Sequence, residues 1–197
     1  MDWNKHSALE GQHAFLSASK YHWRNWTIDK LDRALTTYQA AAKGTRLHSL
    51  AHMCIMEREY LGGPGQEHTT TSLYVMHAID FDMVSEQMLV VSRNCFGTAD
   101  TIGFKLNPET NRMKLRIHDL KTGVIKASPK QLECYAAYFC IEYGVDPFDI
   151  EFELRIYQNS DVYIYDTDPA IIRDVMNVIL QFDEYIETKR ARERGEA

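Results

Sequence analysis

Asp100, Asp119 and Lys121 are the residues whose types and spacing could support chemistry. Two carboxylates held side by side at the end of an apolar stripe repel each other and lose hydration. A divalent cation between them would remove that repulsion, because such cations prefer carboxylate oxygens as ligands. The alternative is that both aspartates are solvated acids at a frayed strand end. The choice depends on the elements that position these residues.

A β-hairpin is predicted to bring the two aspartates together. The runs Gly97–Leu106 and Met113–Lys121 flank Asn107–Asn111, whose composition is typical of a turn. If the hairpin is centred on this turn, Asp100 faces Asp119, with Lys121 on the same face. The apolar pairs that lead to the carboxylates are Leu106 with Met113, Phe104 with Leu115, and Ile102 with Ile117. The other face is predicted to be a wetter surface, and it carries Thr101, Lys105, Lys114, Arg116 and His118.

Helices are predicted on both sides of this hairpin. Thr27 caps a helix that runs to Gly44, and a second helix begins at Thr45, carries His48 and ends at a glycine-rich loop over 62–65. A short helix near Ser72–Ile79 and a strand near Met88–Val91 are predicted before the hairpin. A helix from Ser128-Pro129 to Gly144 is predicted after it, followed by strands over 150–156 and 161–166 that a tight turn at Asn159-Ser160 joins. The last predicted elements are a helix that opens at Asp168-Pro169 and a solvated, frayed tail over 189–194. This order predicts an α/β fold with a mixed central β-sheet flanked by helices and an N-terminal helical elaboration.

Length and composition fit one domain over residues 1–197. Its predicted parts are a mainly helical segment over 1–80, a sheet core with the following helices over 84–186, and a tail over 187–197. No apolar run approaches the roughly 20 residues of a membrane span, and the first residues lack the order of a signal peptide. We therefore expect a cytoplasmic protein. The net charge of −6 decides little about a nucleic-acid partner, because local basic patches matter more than the sum.

The four cysteines are widely spread and form no Cys-x-x-Cys pair. They are Cys54, Cys95, Cys134 and Cys140. This spacing favours reduced, mostly buried thiols over a zinc or iron–sulfur site, which needs clustered thiolates.

Five short motifs occur in order along the chain. They are Phe15–Tyr21 with its Ser-x-Ser, Gly44–His48, Gly97–Asp100 (G-x-x-D), Asp119–Lys121 (D-x-K) followed by Thr122-Gly123, and Gln131–Tyr135 (Q-x-x-x-Y). With these motifs the sequence resembles the RecB-type branch of the PD-(D/E)XK nuclease superfamily, especially small stand-alone members found in phages and prophages. The resemblance runs from about Ser17 to Tyr143 by motif, and further by element order. Each motif is weak alone; their joint order carries the resemblance.

The resemblance implies a restriction-endonuclease-like core that binds Mg²⁺ or Mn²⁺. Asp100, Asp119, His48 and the carbonyl of Leu120 would be the metal ligands, and Lys121 would be catalytic. Gln131 and Tyr135 would contact the DNA backbone or the catalytic lysine, although both could instead cap and pack their helix. His48 could likewise be a hydrogen-bonded structural histidine, with His52 as its competitor or second-shell partner. Several relatives hold an iron–sulfur cluster with late cysteines that this chain lacks, so no cluster is expected.

The implied activity is that of a Mg²⁺/Mn²⁺-dependent deoxyribonuclease. It would be an exonuclease or a single-strand-preferring nuclease in phage recombination, replication or DNA processing, in a bacterial cell or phage-infected host. The implied partners are single-stranded DNA or duplex ends, a possible second copy of the chain, and a separate recombination or helicase protein. The alternatives are a structure-specific endonuclease and a nuclease-fold module that binds DNA or protein without cutting. The stretch Lys20–Trp26 mixes cations with aromatics, and it could stack unpaired bases or dock into a core.

Overall fold

The computed structural model describes residues 14–16, 18–62, 69–123 and 126–194. The chain divides into two compact units at the boundary between Lys43 and Gly44. Ser17 of the first motif and most of the predicted glycine-rich loop lie outside the described residues. None of the described helices is long and apolar enough to cross a membrane.

Helix α1 runs without interruption over Ile28–Glu57, so the predicted break at Gly44 is wrong. The predicted cap is confirmed, because Thr27 Oγ1 accepts the Lys30 amide at 3.3 Å. A glycine inside a helix costs about 1 kcal/mol relative to alanine, which is too little to end a helix whose next residues favour it. The helix ends instead before Arg58, whose φ of 56° leaves the helical region.

Within the first unit, aromatic side chains pack against one another. The Phe15 ring lies 6.2 Å from that of Trp26 and 5.1 Å from that of Tyr38. Lys30 Nζ lies 5.8 Å from the Trp26 ring centroid. Trp26 therefore has packing partners inside its own unit, which agrees with the interpretation that Lys20–Trp26 docks into a core. Stacking of this stretch on unpaired bases stays a prediction.

The second unit contains a five-stranded mixed sheet with helices on both faces. Its elements are α2 (Thr70–Asp80), β1 (Val84–Ser92), β2 (Cys95–Asn107), β3 (Arg112–Leu120), α3 (Lys130–Tyr143), β4 (Glu151–Gln158), β5 (Asp161–Tyr165) and α4 (Pro169–Glu193). The strands follow one another in the order β1-β2-β3-β4-β5. All neighbours are antiparallel except β3 and β4, which are parallel and joined through α3. The α/β class with a mixed, helix-flanked sheet is confirmed.

The predicted register of the β2–β3 hairpin is confirmed over its paired part. The ladder includes Leu106 with Met113, Phe104 with Leu115, and Ile102 with Ile117. The ladder ends at Thr101 with His118, one pair before the two aspartates. The apolar face of this hairpin packs on α3 and α4. The alternation of apolar and polar residues along both strands requires such a partner for the apolar face.

The opposite face of the sheet is covered as well, and this corrects a prediction. Thr101 and His118 were expected on a wetter surface, yet both are fully buried. Helix α2 and the last turns of α1 pack over that end of the sheet through a second apolar cluster, with Tyr74 and Tyr157 among its members. Lys105 on the same face is exposed as expected.

Two helix ends differ from their predicted positions. Pro129 is the N-cap of α3 and not its first residue, and the Ser128 hydroxyl accepts the Lys130 amide at 3.4 Å. Helix α4 begins at the predicted Asp168 cap but continues to Glu193, so the tail predicted as frayed is helical over that length. Arg190 in that region pairs with Glu187 at 3.0 Å, an i,i+3 contact that adds a modest stabilisation to the last turns. Among the cysteines, Cys140 is buried, and the other three are only half-buried.

Candidate functional site

Asp100 lies at a discontinuity in the sheet. The β1–β2 ladder pairs Ser85 with Thr101 and Gln87 with Ala99, and it skips Glu86 and Asp100 between them. Glu86 has φ 54°, a conformation that is uncommon outside glycine, asparagine and aspartate. On the β3 side, where the ladder has ended, Asp100 Oδ2 accepts the Leu120 amide at 3.1 Å. A carboxylate thus replaces a backbone carbonyl as the partner of this amide.

Asp119 presents a buried carboxylate that is only half satisfied. Its residue is 3% exposed, and Oδ1 lies 2.9 Å from Lys121 Nζ. Oδ2 is buried and accepts no hydrogen bond from any described residue. Burial raises the pKa of the Asp119 carboxyl and the charge of Asp100 raises it further, while Lys121 and His48 act in the opposite direction. An acceptor in this state favours a cation or a proton as its missing partner.

Lys121 connects Asp119 to the helix that follows. Its ammonium donates to Asp119 Oδ1 at 2.9 Å and to Gln131 Oε1 at 3.0 Å. Gln131 Nε2 in turn donates to the Tyr135 hydroxyl at 3.3 Å. The four residues predicted from the D-x-K and Q-x-x-x-Y motifs therefore form one continuous chain of polar contacts.

Two motif glycines allow close approaches to this chain. A Cβ placed on Gly97 would lie 2.9 Å from Tyr135 Cε1, and one placed on Gly44 would lie 2.6 Å from Thr122 Oγ1. Both distances are shorter than van der Waals contact permits. Glycine at these positions lets the Tyr135 ring and the residue after Lys121 approach the backbone of β2 and α1.

The two histidines of α1 contact different parts of the Asp100 region. His48 Nδ1 lies 3.4 Å from Asp100 Oδ2. His52, one turn later, bonds Ser85 Oγ through Nδ1 at 2.9 Å and places Nε2 at 3.8 Å from a Glu86 carboxylate oxygen. The predicted ligand is thus beside the carboxylate, and the predicted competitor contacts β1.

A small pocket of about 10 Å³, roughly the room for one water-sized sphere, lies between these side chains. Its lining consists of His48, His52, Tyr74, Ser85, Glu86 and Asp100. Tyr74, Ser85 and Glu86 were missed at the sequence level. In the sequence, Tyr74 is one more apolar residue of a short predicted helix, and neither Ser85 nor Glu86 belongs to a motif. Burial raises the pKa of Tyr74 well above its ordinary value, and the charge of Asp100 adds to this effect.

The donor set suits a hard divalent cation in its chemistry. It combines the carboxylates of Asp100 and Asp119, one of them with the unsatisfied Oδ2, and the imidazole of His48. As they stand, these side chains pair with Lys121, the Leu120 amide and each other. Accordingly, no three His, Cys, Asp or Glu side chains of the described segments converge closely enough to hold a metal ion. The fit therefore rests on the donor types and on the missing partner of Asp119.

A second buried polar cluster lies on the other face of the sheet. His118 Nδ1 is 3.2 Å from the Tyr157 hydroxyl, and its Nε2 is 3.7 Å from Glu153 Oε1. Burial lowers the pKa of His118 to about 4, so the ring is neutral near pH 7. Arg155 pairs with Glu153 at 2.9 Å. Tyr157 of this cluster packs against Tyr74 with ring centroids 5.3 Å apart, and Tyr74 also lines the pocket beside Asp100. None of the cluster members is among the predicted site residues.

Comparison with known proteins adds no identification. No protein-family model, curated protein or solved structure matches this chain.

Proposed function

We propose that this chain is a Mg²⁺- or Mn²⁺-dependent DNA nuclease of the RecB type, with a PD-(D/E)XK core. The observation that carries the proposal is the buried Asp119 carboxylate, whose Oδ2 has no hydrogen-bond partner among the described residues and whose Oδ1 contacts Lys121. Asp100 lies close enough to raise the Asp119 pKa further. Two neighbouring carboxylates, one in β2 and one near the end of β3, together with a lysine directly after β3, suit metal-assisted hydrolysis of a phosphodiester.

The metal would be held by Asp100, Asp119 and His48, with the Leu120 carbonyl as the fourth protein ligand implied by the motif. When bound, the cation supplies positive charge to the scissile phosphate and lowers the pKa of a bound water. Both carboxylates would then keep their charge, because the cation would neutralise the repulsion between Asp100 and Asp119, which adds to the effect of burial on the Asp119 pKa.

Lys121 would stabilise the charge that develops on the phosphate or orient the attacking water. An ammonium has three donors, and the contacts with Asp119 and Gln131 use two of them. The third is available for a substrate oxygen. Gln131, itself held by Tyr135, fixes where that donor points, so these two residues act on the lysine in this proposal.

The substrate in this proposal is DNA, either single-stranded or at duplex ends, within phage recombination, replication or DNA processing. A separate helicase or recombination protein, or a second copy of the chain, would present that substrate.

The test uses the purified full chain with end-labelled single- and double-stranded DNA in Mg²⁺, Mn²⁺ or EDTA. Cleavage should require the metal, fall to background in Asp119→Asn, and persist in Asp174→Asn, a matched change at an exposed aspartate of α4. The product ladder separates exonuclease from endonuclease action. DNA binding without cleavage in either metal would contradict the proposal and favour a non-cleaving binding module.

A further inference from the structure

His52 and Ser85 form a bridge between helix α1 and the backbone of Asp100. The Ser85 hydroxyl donates to the Asp100 carbonyl at 3.2 Å, and Ser85 Oγ lies 2.9 Å from His52 Nδ1. Since the single hydroxyl proton goes to the carbonyl, His52 Nδ1 is the donor in the second bond. The bridge therefore runs from the helix, through a buried serine, to the main chain of a candidate ligand.

The bridge lies where the regular ladder fails. Glu86 and Asp100 are the positions that the β1–β2 ladder skips, and Glu86 has φ 54°. A non-glycine residue in this region is strained and persists only where its surroundings enforce it. At this one skipped position, between the Ser85–Thr101 and Gln87–Ala99 pairs, the Ser85 hydroxyl adds a side-chain hydrogen bond to the Asp100 backbone. His52 Nε2 lies 3.8 Å from a Glu86 carboxylate oxygen, which is beyond hydrogen-bond distance, so the Nδ1–Ser85 contact alone forms the bridge.

The position of His52 on α1 determines what the bridge can do. His48 and His52 are one turn apart, so a contact that fixes His52 also fixes the distance of His48 from β2. His48 Nδ1 lies 3.4 Å from Asp100 Oδ2, and this distance depends on both the helix and the Asp100 backbone.

We infer that His52 and Ser85 are positioning residues that hold His48 and Asp100 at the separation needed to bind one cation. This inference rests on the proposed function and adds residues that none of the five motifs includes. Groups behind metal ligands usually change metal affinity by about 10- to 100-fold when they are removed. They do so without touching the metal or the substrate.

The experiment measures Mn²⁺ affinity by titration calorimetry and by the electron paramagnetic resonance signal of unbound Mn²⁺. The variants are Ser85→Ala, His52→Leu and His52→Asn, with Ser49→Ala as the matched control. Ser49 lies on the same helix, is exposed, and donates its hydroxyl to the Thr45 carbonyl one turn earlier. Cleavage kinetics and the metal-free melting temperature are recorded for each variant.

Ser85→Ala and His52→Leu should each weaken Mn²⁺ binding by about 10-fold or more, as second-layer groups do. Saturating Mn²⁺ should restore most of kcat, and KM for DNA should stay unchanged because neither residue meets the substrate. His52→Asn should recover much of the affinity, since its amide can replace the Nδ1 donor. Ser49→Ala should match the wild type. If Ser85→Ala does not fold, His52→Leu gives the same comparison at a partly exposed position.

Three results would overturn the inference. Ser85→Ala and His52→Leu with a lower melting temperature but unchanged Mn²⁺ affinity would make the bridge purely structural. Loss of all binding in His52→Leu together with normal binding in Ser85→Ala would make His52 a ligand. A wild type that neither binds Mn²⁺ nor cuts DNA would reject both the inference and the proposed function. If the wild type binds Mn²⁺ and cuts DNA but the variants contradict the positioning role, only the inference is rejected.

Discussion

Gly44 of helix α1 and Thr122, directly after the D-x-K segment, are so close that a Cβ at position 44 would require the Thr122 side chain to shift. A Cβ at position 44 would lie 2.6 Å from Thr122 Oγ1. Gly44 is buried, and its backbone continues the helix. Glycine at position 44 therefore serves a close approach and not a turn, and this approach brings the helix that carries His48 next to the end of β3.

Replacing this glycine should have the opposite effect to the usual one. Gly→Ala inside a helix normally stabilises a protein by about 1 kcal/mol, but the new methyl group of Gly44→Ala would collide with Thr122. We expect a loss of about 1 kcal/mol or more in urea unfolding. In a Thr122→Ala background the same change should give the normal gain, so a double-mutant cycle isolates the contact. A gain from Gly44→Ala in the otherwise unchanged chain would contradict this close approach.

Asp119→Asn should remove cleavage and also stabilise the metal-free protein at neutral pH. The folded-state pKa of Asp119 is raised above its ordinary value of 3.8, chiefly by burial and then by Asp100. The ionised form therefore opposes folding, and this penalty is absent below about pH 3.8 and grows as the pH rises through the folded-state pKa. Denaturant unfolding at several pH values should show the variant more stable near pH 7, with the difference vanishing in acid.

Mg²⁺ gives the control for that prediction. The melting temperature of the wild type should rise when Mg²⁺ is added, and that of Asp119→Asn should rise little, because only the wild type has a charged carboxylate at position 119. If Asp119→Asn is less stable than the wild type at pH 7 without metal, the prediction is wrong. The contacts of the ionised carboxylate would then stabilise the fold by more than its burial and the charge of Asp100 destabilise it.

The hairpin and its register were predictable because one physical signal specifies them. Alternating apolar residues place Ile102 opposite Ile117, and a slip by one residue would turn both strands inside out. The order of the later elements was predictable for a similar reason, since Gly144 and the Asn159-Ser160 turn have the positive φ values that such turns require. Asp119 lies near the end of β3, Lys121 comes directly after that strand, and Gln131 and Tyr135 lie in the first turns of the next helix, α3, so these four residues meet once β3 and α3 are in place.

The discontinuity at Asp100 was not predictable in this way. Strand alternation assumes a regular ladder, and nothing in the types of Glu86 or Asp100 announces that the ladder skips both. The burial of His118 was missed because its strand has polar residues on that face, and only the packing of α2, a long-range contact, covers it. The continuity of α1 was missed because glycine usually marks a helix end, while here it marks a close contact.

Tyr135→Phe should reduce turnover without changing DNA affinity. The substitution removes the hydroxyl that accepts the Gln131 amide at 3.3 Å, so Gln131 holds Lys121 less firmly. A hydrogen bond of this kind contributes about 0.5–1.5 kcal/mol, which corresponds to a fall of about 2- to 10-fold in kcat. Steady-state cleavage at saturating Mg²⁺ measures it, with Tyr143→Phe, an exposed tyrosine of the same helix, as the matched control. An equal loss in both variants, or a change confined to KM, would contradict a role through the lysine.

His118 should make the protein less stable as the pH falls from about 6.5 to 4. Burial, together with the charge of Arg155, lowers its folded-state pKa to about 4 even though the Glu153 carboxylate, 3.7 Å from Nε2, opposes the shift. Between these values the unfolded chain binds a proton at this residue that the folded chain does not bind, so acid favours unfolding. A shift of this size corresponds to a loss on the order of 3 kcal/mol for so fully buried a group. His118→Gln cannot titrate, so its unfolding free energy should fall less over the same interval than that of the wild type. Identical pH profiles for the two proteins in urea unfolding would show that the buried imidazole is already protonated in the folded state, with Glu153 as its ionic partner.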